Sequence, residues 1–99
     1  MAQSISWGSV NFDGTIVSGS GDFLVTIVNT GQYQITFNNG FASIPAIVGS
    51  QNRCGDQTEM NTDSVCFPFV NQGFFQVNTG DDAGTLQNRN FAFIAIGNR

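Results

Sequence analysis

The side chains able to do chemistry in this 99-residue chain are few, and they cluster where the pattern of apolar residues lapses. Seven carboxylates and three guanidiniums carry all of the charge, a formal net of −4, and there is neither His nor Lys. Without an imidazole or an amine, a Ser–His–Asp triad has no general base and a Schiff base has no nucleophile. Asp56, Glu59 and Asp63 fall inside the segment flanked by Cys54 and Cys66. Hard oxygen ligands at such spacing can hold Ca²⁺, but these do not follow the EF-hand register. Solvated loop acids are the simpler reading, and no cofactor is expected. Asp13 precedes Gly14, Asp22 follows Gly21, and Asp81–Asp82 lie between Gly80 and Gly84, all places where a carboxylate caps a turn. A two-carboxylate glycosidase needs a cleft walled by more protein than this, so the chain is not expected to be an enzyme.

Cys54 and Cys66 admit two readings. They are free thiols, one of them packed as a small apolar residue, or a disulfide closing a hairpin loop, worth roughly 3 kcal/mol in the chain-entropy model. Zinc falls short of its usual four ligands.

The elements that must position these groups read as strands, since period-two alternation dominates and no window carries a helical stripe. Trp7 to Phe12 reads as a strand ended by Asp13–Gly14, with Thr15–Val17 resuming it and Ser18–Asp22 a Gly/Ser connector. Phe23 to Val28 and Gln32 to Phe37 flank the turn Asn29–Thr30–Gly31. The second of these is the cleanest alternation, with Tyr33, Ile35 and Phe37 inward and Gln32, Gln34 and Thr36 outward. After Asn38–Asn39–Gly40, Phe41 is expected to tuck back as a plug. Strands follow at Ala46–Gln51, Val65–Val70 and Phe74–Thr79, the last with Phe75 and Val77 on one face. Pro68 lacks the amide donor a ladder needs, which puts its strand at an edge or a bulge.

The final strand, Phe91–Ile96, is apolar on both faces: Phe91, Phe93 and Ala95 on one, Ala92, Ile94 and Ile96 on the other. A strand with one wet face alternates apolar with polar, so a neighbouring copy is expected to cover what the core does not. Phe91, Phe93, Ile94 and Ile96 are the expected contacts in a homo-oligomer. Trp7, the one tryptophan, is read as a core or interface residue.

Composition narrows the class further. Charged residues are 10% of the chain, well under the roughly 25% of an average domain, yet ten Phe residues supply burial that disordered chains lack. Three arginines interleaved with acids do not make the basic stripe that nucleic acid requires. The longest apolar run is six residues against the roughly 20 of a membrane span, so neither nucleic acid nor membrane insertion is expected. Met1–Ala2–Gln3–Ser4 shows no signal peptide, so a protein acting outside the cell would be exported by some other route or ride on a particle released by lysis. The expectation is a single all-β domain over residues 1–99, an antiparallel β-sandwich of six to eight short strands.

Four motifs in order, Gly31–Phe37, Phe41–Val48, Gly73–Val77 and Phe91–Gly97, resemble the small C-terminal head domains that follow collagen-like stalks and cap phage or phage-like tail fibres. The pattern is also similar to the H-type lectin domain. That resemblance implies a sandwich that assembles as a homotrimer and binds N-acetylgalactosamine-type sugars. H-type lectins read the sugar with aromatic and imidazole side chains in the loop before the last strand, whereas Gly80–Gly84 here has neither. Acidic side chains can accept bonds from sugar hydroxyls, but specificity for N-acetylgalactosamine does not carry over. The expected role is a trimeric receptor- or carbohydrate-binding head, extracellular or on a virion or fibre. Its candidate ligand residues are Asp81, Asp82, Arg53, Arg89 and Asp56. The rival is a structural trimerisation cap or particle decoration protein that binds only protein neighbours.

Overall fold

Among the described residues, eight strands and no helix build the fold: β1 (Gln3–Val10), β2 (Ile16–Gly19), β3 (Phe23–Asn29), β4 (Gln32–Phe37), β5 (Ala46–Gln51), β6 (Val65–Val70), β7 (Phe74–Thr79) and β8 (Phe91–Asn98). The computed structural model describes residues 3–59 and 61–99. Met1 and Ala2 of the leader reading, and Met60 in the Cys54–Cys66 segment, lie outside the described residues. Two four-stranded antiparallel sheets, ordered β2-β1-β8-β5 and β3-β4-β7-β6, face each other as a β-sandwich. Five of the expected strand spans match or fall within one residue at their ends, while β1 starts earlier and stops before Asn11.

The core lies between the sheets and is aromatic. Tyr33, Ile35 and Phe37 of β4, Phe75 and Val77 of β7, and Phe91, Phe93 and Ala95 of β8 are all buried. Their rings meet edge-on or tilted, Phe93 lying 5.1 Å from both Phe23 and Phe75, and Tyr33 5.0 Å from Phe91. These are the offsets that aromatic quadrupoles favour. The Tyr33 hydroxyl donates to the Phe12 carbonyl at 2.7 Å, so the buried phenol leaves no polar atom stranded. Phe41 does tuck back, buried against Phe37 at 5.0 Å. Pro68 sits at an edge and at a bulge together: β6 is the outer strand of its sheet, and its register slips between Cys66 and Phe69.

Phe91 and Phe93 require a correction. They were expected at a contact between copies, but they are core residues of the single chain, 0% and 2% exposed. Rings of that size displace the most water by facing the opposite sheet. The positions they face across β1 are correspondingly small. Gly8 pairs with Phe93 and Ser6 with Ala95, and a Cβ on Gly8 would run into the Phe23 ring. Trp7 and Ile5 are thereby turned outward, so Trp7 is not in the core.

Candidate functional site

Odd-numbered strands run toward one end of the sandwich and even-numbered strands return from it. The β1–β2, β3–β4, β5–β6 and β7–β8 connections therefore gather at that end. Of the ten charged side chains, eight sit there: Asp13, Arg53, Asp56, Glu59, Asp63, Asp81, Asp82 and Arg89. The other two, Asp22 and Arg99, lie at the opposite end and cancel, so the whole net charge of −4 belongs to the loop end of a body 43 × 22 × 20 Å. Neither outer sheet face carries a charge among the described residues.

The expected ligand residues lie together at this end, but they bond mainly within their own loops. Asp81 accepts from the backbone N–H groups of Ala83 at 3.0 Å and Thr85 at 2.9 Å, fixing the turn that leads to β8. Asp56 accepts from both the N–H and the hydroxyl of Thr58, and those bonds hold its carboxyl below the usual carboxylate value. Asp82 is exposed and makes none of these bonds. Arg89 donates to Asp63 at 2.9 Å and to Gln87 at 3.3 Å, with Glu59 at 3.7 Å. Gln87 in turn donates to Asp81 at 3.0 Å, so one amide links the Asp81 turn to the Arg89–Asp63 pair. Among the described residues, no three acids converge to hold a metal ion.

Arg53 takes a left-handed backbone conformation, φ 49°, which a non-glycine residue rarely adopts without support. Support comes from Asn90, whose amide donates to the Arg53 carbonyl at 2.9 Å and accepts from the Phe12 N–H at 2.7 Å. The Arg53 guanidinium reaches Asn11 at 2.9 Å. Asn88 accepts from the N–H of Gly31 at 2.6 Å. Gly31 is itself a position for glycine alone, since a Cβ there would lie 2.7 Å from the Thr79 carbonyl. The run Gln87–Asn90 thus ties together the loops of both sheets. Sequence reasoning passed over these amides, because Asn and Gln in a loop read as turn residues and nothing in their spacing marks them as ties. A shallow depression of about 280 Å³ opens beside them, lined by Phe12, Cys54, Glu59, Asn88, Arg89 and Asn90.

Both cysteines are free, exposed thiols. Cys54 lines that depression at the loop end, while Cys66 lies on the outer face of β6 opposite Asn78. No disulfide closes the segment between them.

The second candidate surface is the outer face of the β2-β1-β8-β5 sheet. Cross-strand register sets Trp7, Ile94 and Val48 in one row and Ile5, Ile96 and Ala46 in the next. In that first row, Trp7 is 43% exposed, Ile94 49% and Val48 63%. A trough of about 370 Å³ runs along it. Outer faces of antiparallel sheets are ordinarily polar, and contiguous apolar patches of this kind mark contact surfaces.

In comparisons with known proteins, no protein-family model matches the chain, no curated protein is significantly similar to it, and no solved structure is significantly similar to its fold.

Proposed function

We propose that this chain is the subunit of a homotrimeric, non-enzymatic head domain that recognises a cell-surface glycan or receptor, carried outside the cell or on a released particle such as a fibre. The observation that carries the assembly half is the pair of cross-strand rows on the first sheet, six apolar side chains without a charge among them. A second copy covers those rows with far less desolvation than a charged partner would need. Confinement of the net charge to the loop end fits the same arrangement. Subunits pack side by side along charge-free faces while their like-charged ends point to solvent, where repulsion is screened.

Ile94 and Ile96 keep their place in this interface, joined by Trp7, Ile5 and Val48. The recognition half rests on exposed polar surface that the subunit contact leaves open.

One observation favours the structural rival, a trimerisation cap or decoration protein. Asp81, Asp56 and Arg89 are engaged with their own loops, leaving fewer free polar groups for a ligand. Two measurements separate the readings. Light scattering tests assembly, with a mass near three times 10.6 kDa expected and 10.6 kDa refuting it. A glycan array probed with and without Ca²⁺ tests recognition. A trimer that binds no glycan or cell surface hands the case to the structural reading.

A further inference from the structure

The outer face of the β3-β4-β7-β6 sheet carries a block of four carboxamides that the subunit contact does not use. On the two central strands Gln32 stands opposite Asn78 and Gln34 opposite Gln76. All four point away from the core, because their neighbours Tyr33, Ile35, Phe75 and Val77 point into it. Directly opposed side chains start about 5 Å apart, and successive outward positions along a strand about 7 Å apart. The four amides therefore form one compact rectangle.

Two side-chain bonds order it. Gln76 donates to Asn78 at 2.9 Å, and Gln34 donates to the Thr36 hydroxyl at 3.2 Å. Each carboxamide has two N–H donors and an oxygen with two lone pairs, so these bonds leave most of the block's capacity facing outward. At its border the rings of Phe69 and Phe74 stack 5.4 Å apart with 16° between their planes, and Phe69 is half exposed.

We propose that this face binds a neutral glycan chain. Charge complementarity selects that occupant. Among the described residues the face has no charged side chain, so an anionic sugar finds no guanidinium and a basic peptide no carboxylate. A neutral glycan presents hydroxyl edges, which planar amides meet as donor and acceptor together. It also presents C–H faces, which pack on aromatic rings. A second copy finds a better partner in the apolar rows of the other sheet than in four amides that it would have to desolvate. The inference rests on the recognition half of the proposed function and gives that half a surface.

The test is an NMR and calorimetric titration of the full chain with cellohexaose, xylohexaose and mannohexaose, and with hexaguluronate as the anionic contrast. At least one neutral hexasaccharide should shift the side-chain amide signals of Gln32, Gln34, Gln76 and Asn78, while hexaguluronate shifts none. The double variant Gln34→Ala/Gln76→Ala should bind at least tenfold more weakly with parental mass and melting temperature, and Phe69→Ala should weaken binding separately. Binding that survives the double variant but is lost in Asp81→Asn/Asp82→Asn overturns the sheet site and leaves recognition at the loop end standing. Failure of every hexasaccharide to bind the parent also overturns it. A changed oligomeric mass in Gln34→Ala/Gln76→Ala assigns the face to a second copy, which overturns it as well.

Discussion

Replacing Ile94 with Asp separates assembly from folding, because the same position is wet in one state and dry in the other. In the isolated subunit Ile94 is 49% exposed on the outer face, between Trp7 on β1 and Val48 on β5. A carboxylate there can keep its water, so the subunit's own stability should change by no more than about 1 kcal/mol. In the proposed trimer the position is covered. Fully burying an Ile is worth about 1.5–3 kcal/mol, so covering the exposed half of Ile94 contributes about 1 kcal/mol, which the variant loses. Desolvating an unpaired carboxylate adds several kcal/mol more, unless the group protonates or the contact opens. A combined loss of at least about 3 kcal/mol per contact lowers the association constant more than about 100-fold. Light scattering across a dilution series should therefore show the parent as a trimer and Ile94→Asp as a monomer, with the same far-ultraviolet dichroism. Thr26→Asp, on the outer face of the other sheet, is the control and should keep the parental mass. A parent of 10.6 kDa, or an Ile94→Asp protein that still assembles, would refute the reasoning.

Other predictions concern the two ends of the sandwich. Arg99 donates to the Asn39 carbonyl at 2.7 Å, to Ser4 at 2.6 Å and to Ser6 at 2.8 Å, with its guanidinium 3.9 Å from the centre of the Phe41 ring. Charge-assisted bonds contribute about 1.5–3 kcal/mol each and are not additive, and a cation–π contact about 0.5–2. Arg99→Met should thus cost about 3–4 kcal/mol in urea unfolding and Arg99→Lys more than half of that, since one ammonium cannot span three acceptors; a loss under about 1 kcal/mol for the Met variant would contradict the latch. Burial alone would raise the pKa of Asp22, but bonds from Ser20 and Ser6 and the Arg99 charge outweigh it and hold the carboxyl below its usual value. A folded pKa below the unfolded one gives stability that is complete above the ordinary carboxylate value, about 3.9, and fades as the pH falls below it. Unfolding free energies from pH 6 to pH 2 should show that decline, flattened in Asp22→Asn. At the loop end, Asp81→Ala should destabilise by about 1–2 kcal/mol and speed amide exchange at Ala83 and Thr85, as loss of a cap does. Asp82→Ala should stay within about 0.5 kcal/mol of the parent, and equal effects would contradict the bonding asymmetry.

The sequence by itself determined the class, most of the strand spans and one face of most strands. Tyr33, Ile35 and Phe37 alternate with Gln32, Gln34 and Thr36, and only one face of such a strand can gain by burial. Pro68 announced its edge because a missing amide is a local fact. That the last strand is apolar on both faces was equally legible, but not which residues the core takes: Phe91 and Phe93, expected at a contact between copies, are buried in it, and Ile94 is left outside.

Only the tertiary structure decided the facing of β1, where alternation read alone would bury Ile5 and Trp7. The sandwich has room for a limited volume, and once Phe23, Phe91 and Phe93 occupy it, the strand beside β8 must offer Ser6 and Gly8 inward. That choice depends on which strand pairs with which, a relation between residues some ninety positions apart that no local pattern encodes. The same holds for the loop end. Asn90 reaches across to Phe12 and Arg53, and Gln87 joins Asp81 to Arg89. An amide's role is set by which donor or acceptor the fold brings within about 3 Å of it, and its identity alone carries no direction.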